Sequence, residues 1–141
     1  MHTLISETSA IMRLLRVNAE RGMAQEGLGF PEQMVLMTLY PDKACNQDTI
    51  ARMLGVDKGA IARTMTKLED KGLIRRTPNP ANRRENIVSL APESAPVLEG
   101  MKANMFACIE QAFDGFEDDE RQRVLDALAR IADNLKDDGA R

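Results

Sequence analysis

Between Asn46 and Gly72 the chain carries two short apolar stripes at helical spacing, and Gly55 divides them so closely that the two segments must meet at a tight corner. Asn46 has the side chain to accept an orphan N–H at a helix start, and Ile50, Met53 and Leu54 form the apolar face that follows. Gly55 ends that helix, because glycine enters the left-handed conformation without a Cβ penalty. Asp57 caps the second helix, Ile61, Met65 and Leu68 form its stripe, and Gly72 closes it. Ala51 leaves room where the two helices touch. Two short helices joined through a glycine corner form a helix-turn-helix.

The flanks extend this unit in both directions. Residues 73–77 and 85–90 read as strands, and residues 78–84, dense in turn formers, predict a β-hairpin with a long tip. Upstream, Leu4, Thr8, Ile11 and Leu15 recur at helical spacing from Leu4 to about Met23. Pro31 suits the start of a second helix, in which Met34, Val35, Leu36, Met37 and Leu39 run up to the break at Pro41. Downstream, Leu98, Met101, Met105, Ile109, Ala112 and Phe116 share one face, and Val124, Leu128, Ile131 and Leu135 share another. Pro96 is accommodated only in a first helical turn, so that helix must begin near Ser94. The fold class is therefore mainly α with a small β-hairpin wing. A winged helix-turn-helix fills residues 30–91, and a helical region for dimerisation is assembled from 1–24 and 92–137.

Charge is segregated. The net charge of the 141 residues is −3, which on its own disfavours a nucleic-acid partner. Yet residues 52–84 hold nine Lys or Arg against three acids, a local +6, and the rest of the chain carries −9. One surface is built to face an anion and another to remain solvated. A hydrophobic share of 43% is too high for a disordered chain, and the length suits one compact unit.

Other functions lack their chemistry. Cys45 and Cys108 are too few for a disulfide framework and have no Cys/His ligand spacing around them. His2 is the only histidine, so no metal site and no cofactor is expected. No glycine-rich phosphate loop or nucleophile elbow is present, and the chain is not expected to be an enzyme. The N-terminus has no apolar run of signal-peptide character, and no stretch reaches the roughly 18 to 20 apolar residues of a membrane span. A cytoplasmic protein without a membrane partner is expected.

On the second helix of the motif, the residues outside the buried stripe are Lys58, Gly59, Ala62, Arg63, Thr66 and Lys67. Small side chains there allow close approach to a groove wall, and Arg or Lys can donate to guanine O6 and N7. Arg63 is the first choice for base reading; the competing view makes this an ordinary solvated face. Arg83 and Arg84 at the hairpin tip fit a narrow minor groove of strong negative potential. One of the two can instead simply brace the hairpin.

The run Val56 to Met65, then Leu68-Glu69-Asp70-Lys71-Gly72-Leu73-Ile74, then Asn79-Pro80-Ala81-Asn82-Arg83-Arg84 resembles the recognition helix and wing of the MarR (multiple antibiotic resistance regulator) family. The likeness is strongest over residues 46–90, and the order of helices extends it across nearly the whole chain. It implies a homodimer that binds double-stranded DNA and represses transcription, often until a small aromatic effector releases it. It implies that the wing arginines enter the minor groove, and that the first and the two C-terminal helices intertwine between subunits. Members of the family commonly have Asp where this chain has Asn82, and a neutral amide holds a neighbouring arginine less firmly than a carboxylate.

Apolar stripes on the first and last helices exceed what a small winged domain can bury, so a twofold partner copy is expected at Leu4, Ile11, Val124, Leu128, Ile131 and Leu135. Packing of the last stripe within one chain is the alternative. Met12, Leu15, Met34, Met37 and Met105 are placed to line an effector pocket, with core packing the competing role for each. Cys45 is weighed as an oxidation reporter against an inert thiol. The family's peroxide sensors carry their cysteine early in the first helix, where this chain has none. A winged-helix module for protein or RNA interaction remains the rival reading, as does a DNA-binding protein that activates or ignores ligands.

Overall fold

The computed structural model describes residues 3–136; His2 and the end of the segment 92–137 fall outside them. Six helices and three strands follow in the order α1 (Leu4–Gly22), α2 (Phe30–Leu39), β1 (Ala44–Asn46), α3 (Gln47–Leu54), α4 (Lys58–Asp70), β2 (Ile74–Asn79), β3 (Asn82–Leu90), α5 (Ala95–Ala112) and α6 (Asp118–Lys136). The chain divides into two compact units, one up to Cys108 and one from Ile109 onward. The fold is mainly α with a small antiparallel sheet, as the sequence predicts.

Local chemistry sets most boundaries. Thr3 and Ser6 exchange side-chain and backbone hydrogen bonds in a capping box at the start of α1. α2 has Gly29 at its N-cap and no side-chain bond from it, and Glu20 of α1 substitutes by accepting the Phe30 N–H at 3.3 Å. Asn46 accepts from Asp48 at 2.8 Å and Asp57 from Ala60 at 2.7 Å, the two caps expected of the motif. Gly55 stands at φ +67 between them, and the Val56 N–H closes the turn on the Ala51 carbonyl. Pro96 lies in the first turn of α5, which follows a 3-10 turn at Pro92–Ser94.

The core of the first unit joins α2, α3, α4 and the sheet. Val35, Leu36, Leu39, Ile50, Met65, Leu68 and Val88 are completely buried, and Met23, Leu28, Leu98 and Met101 pack with them from the flanking segments. Gln33 is also buried; its amide donates to the carbonyls of Ala19 and Leu28 at 3.0 and 3.2 Å, tying α2 to the end of α1.

Four sequence expectations are corrected. The hairpin tip is short: strands run through most of residues 78–84, leaving Pro80 and Ala81 as the turn. A third strand, β1, pairs with β3 from Ala44↔Ser89 to Asn46↔Ile87, giving the order β1-β3-β2. Three residues carry no readable alternation, and a partner so distant in sequence supplies their ladder. Met53 is exposed rather than buried, since the short α3 covers only Ile50 and Ala51. The helix expected to carry Phe116 stops earlier: α5 ends at Ala112 and Phe116 lies beyond it, and on its shared face only Leu98 and Met101 are buried, whereas Ile109 and Ala112 are exposed.

In the second unit, Arg121 donates to Glu110 at 2.7 Å and lies 4.9 Å from the Phe113 ring centre, while Phe113 and Phe116 meet edge to face. No residue of α6 is buried.

Candidate nucleic-acid interface

α4 is held by its inner face and presents the opposite one. Ile61, Met65 and Leu68 are buried, while Lys58, Gly59, Arg63, Thr66 and Lys67 are exposed and Ala62 is half-buried. At Gly59 a Cβ would come within 3.3 Å of the Asp57 carboxylate and 3.4 Å of the Arg63 guanidinium, so the glycine leaves both groups free to approach the helix. Thr66 donates to the Ala62 carbonyl within its own helix.

The cations of this region divide into two sets. Arg76 of β2 makes a two-pronged pair with Glu69 of α4, Nε and Nη2 donating at 3.2 and 3.0 Å, and so fastens the wing to the helix. This guanidinium holds the Glu69 carboxyl below its ordinary value, and the Glu69 pair in turn raises Arg76. Lys67 pairs with Glu32 at 3.1 Å, Arg75 lies 4.0 Å from Glu93, and Lys71 donates to the Glu26 carbonyl at 3.0 Å. Lys58, Arg63, Arg83 and Arg84 are exposed, and their side chains have no ion-pair or hydrogen-bond partner among the described residues. These four belong to the first two turns of α4 and to the wing strand β3. Fold-internal pairing leaves free the cations that sequence reasoning assigned to DNA, with Lys67 the exception.

The wing is shaped by its asparagines. Asn79 pairs with Asn82 and Pro78 with Asn86, so Arg83, Arg84 and Glu85 bulge from the ladder without partners on β2. Asn82 accepts the backbone N–H of Arg84 at 3.1 Å, and Asn79 accepts from Ala81 while its amide donates to Glu85 at 3.3 Å. Asn82 thus fixes the backbone of Arg84 and leaves its guanidinium unrestrained.

Beside the helix-turn-helix lies an open-sided cleft of about 790 Å³, walled by α1, α2, the α3–α4 corner and α4. Met12 and Met34, two of the residues weighed between a pocket and the core, line it, with Phe30, Met53, Val56 and Ile61. Leu15, Met37 and Met105 do not: Met37 and Met105 pack against the core instead. Phe30 and Met53 escaped sequence reading because helical spacing placed them respectively at a boundary and on an inner face. Arg63 reaches the cleft as well as the outer surface. Arg16, at the cleft's far side, is paired with Glu20 at 3.1 Å; that bond and the Phe30 N–H keep the Glu20 carboxyl below its ordinary value.

Cys45 sits opposite Val88 in the β1–β3 ladder and packs partly against the core. No group of three or more His, Cys, Asp or Glu residues able to hold a metal exists among the described residues. None of the described helices is long and apolar enough to cross a membrane.

Helix-turn-helix, three-stranded wing and flanking helices define a winged helix-turn-helix protein. Residues 31–86, from α2 into β3, match the MarR family. The structure superposes on a crystal structure of MarR with a TM-score of 0.82 and 29% identity, covering 94% of this chain and 90% of the other. Reduced AbfR, solved bound to DNA, shares the fold with a TM-score of 0.74 and 22% identity over 94% of this chain and 91% of that one. By sequence, the uncharacterized HTH-type transcriptional regulator YdgJ of Bacillus subtilis (strain 168) is 24% identical over 132 residues, 92% of this chain and 80% of the relative.

Proposed function

We propose that this chain is a sequence-specific, double-stranded-DNA-binding regulator that acts as a homodimer in the cytoplasm. The observation that carries the reading is the division of the cations: Lys58 and Arg63 on α4 and Arg83 and Arg84 on the wing are exposed and have no partner among the described residues. Arg63 reads base edges from the major groove, Gly59, Ala62 and Thr66 allow the approach, and Arg83 and Arg84 enter the flanking minor groove. That AbfR, a protein of the same fold, has been solved bound to DNA supports DNA as the partner.

Dimerisation uses the region assembled from 1–24 and 92–137. Leu4, Ile11, Val124, Leu128 and Leu135 are exposed and Ile131 half-exposed, an apolar area that water disfavours and a second copy would cover. Two recognition helices related by a dyad read a pseudo-palindrome with half-sites roughly 34–36 Å apart. The cleft beside α4 is an apolar space in which a small aromatic effector can sit against Met12 and Met34, with Arg63 at its rim. A ligand there that favours the DNA-free conformation releases a repressor from its operator.

The test is the salt dependence of binding to a duplex from the gene's own promoter and to a scrambled duplex. Wild type should bind the promoter selectively and lose affinity steeply with salt. Arg63→Ala should cut selectivity by about 5- to 150-fold, the equivalent of about 1–3 kcal/mol. Arg83→Ala should weaken both duplexes nearly equally. Equal, weak binding of both duplexes by every variant would favour the protein- or RNA-interaction module instead.

A further inference from the structure

Glu32 is the only buried ionisable side chain among the described residues, at 5% exposure. A carboxylate is not removed from water without compensation, and three features supply it here. Glu32 stands at the third position of α2, where the unpaired N–H groups of the helix end favour negative charge. Its Oε2 fills the space beside Gly29: a Cβ there would come within 2.9 Å of it, at a residue whose extended backbone makes no other demand for glycine. Its Oε1 binds the Lys67 ammonium at 3.1 Å.

Lys67 lies four residues beyond Arg63 on the exposed side of α4 and borders both the cleft and the outer depression formed by Ala62, Arg63, Thr66 and Asp70. By position it is a ready phosphate contact. By geometry its charge is drawn inward across α4 to α2, toward a carboxylate that cannot leave. A mobile surface lysine gives up a water shell to meet a phosphate, whereas this one must give up a buried partner and leave that partner's charge uncompensated.

We propose that Glu32 is a positioning residue that withholds Lys67 from DNA phosphate, so that α4 meets its duplex through Lys58 and Arg63. The inference rests on the DNA-binding reading above. A phosphate contact strengthens binding to every sequence alike, so withholding one lowers the non-specific background against which Arg63 discriminates.

The first experiment needs no substitution. Amine acylation of the full-length wild-type protein, with and without the promoter duplex and read by mass spectrometry, should show Lys58 protected by DNA and Lys67 modified at the same rate in both. Protection of Lys67 equal to that of Lys58 overturns the proposal. In the second, Glu32→Gln should steepen the slope of log affinity against log salt by about 0.9 per subunit and narrow the promoter-to-scrambled ratio. Adding Lys67→Met to Glu32→Gln should return the slope to the wild-type value. A Glu32→Gln protein that melts cooperatively yet keeps the wild-type slope and ratio also overturns the proposal. Failure of wild type to bind either duplex sinks the DNA reading itself, and is told apart by the absence of Lys58 protection.

Discussion

α4 and α6 are both amphipathic helices, yet one chain treats their apolar stripes in opposite ways. In α4, Ile61, Met65 and Leu68 are 2%, 0% and 0% exposed, covered by α2, α3 and the sheet. In α6, Val124, Leu128 and Leu135 are 37%, 43% and 69% exposed. The stripe of α4 belongs to the fold of a single chain, and its outer face is free to carry charge for another molecule. The stripe of α6 has no such cover, and its apolar area is worth about 25 cal/mol per Å² to whatever hides it. An apolar period in the sequence therefore announces burial without saying by what.

Met65→Ala should break the α4 side of the contrast with the largest effect. Removing a completely buried side chain costs about 2–5 kcal/mol, and denaturant unfolding should show that loss at every protein concentration. Leu128→Asp on α6 should behave in the reverse manner. A single chain loses little, because the side chain is already 43% exposed, but sedimentation should show the dimer giving way to monomer, and the midpoint of melting should cease to rise with concentration. Unchanged assembly would remove α6 from the interface.

The smallest effect sharpens the other side of α4. Glu69 is held below its ordinary carboxylate value of 4.5 by the Arg76 pair, so its contribution is present above that pH and is lost as pH falls through the lower folded value. Glu69→Gln should lower the melting temperature slightly at neutral pH, and the gap from wild type should close in acid. A gap that persists at low pH would mean that the Arg76 contact acts through packing rather than charge.

Much of the fold was legible because its signals are local. Asn46, Gly55 and Asp57 act on backbone groups within a few residues of themselves, and each does in the structure what its chemistry predicts. The extra strand at Ala44–Asn46 was not legible, nor the short tip at Pro80–Ala81, because strand ladders are set by partners far along the chain. In the candidate site, the outer face of α4, apart from half-buried Ala62, and the wing arginines are exposed; of the five residues weighed between a pocket and the core, Met12 and Met34 line the cleft, while Met37 and Met105 take the core role. Met37 stands three residues from Met34, within a helical turn of it, and packs against the core instead.

The sequence by itself determined the order of helices, the corner at Gly55, the buried stripe of α4 and the concentration of positive charge between Arg52 and Arg84. Those depend on periodicity, capping and composition, which act over one or two helical turns. Only the tertiary structure decided which cations remain available. Lys67 and Arg63 are alike in the sequence as exposed cations of one helix, and they part because α2 places the buried Glu32 carboxylate beside one of them. Charge is a property of the residue, but whether that charge is free depends on which other segment folds against it.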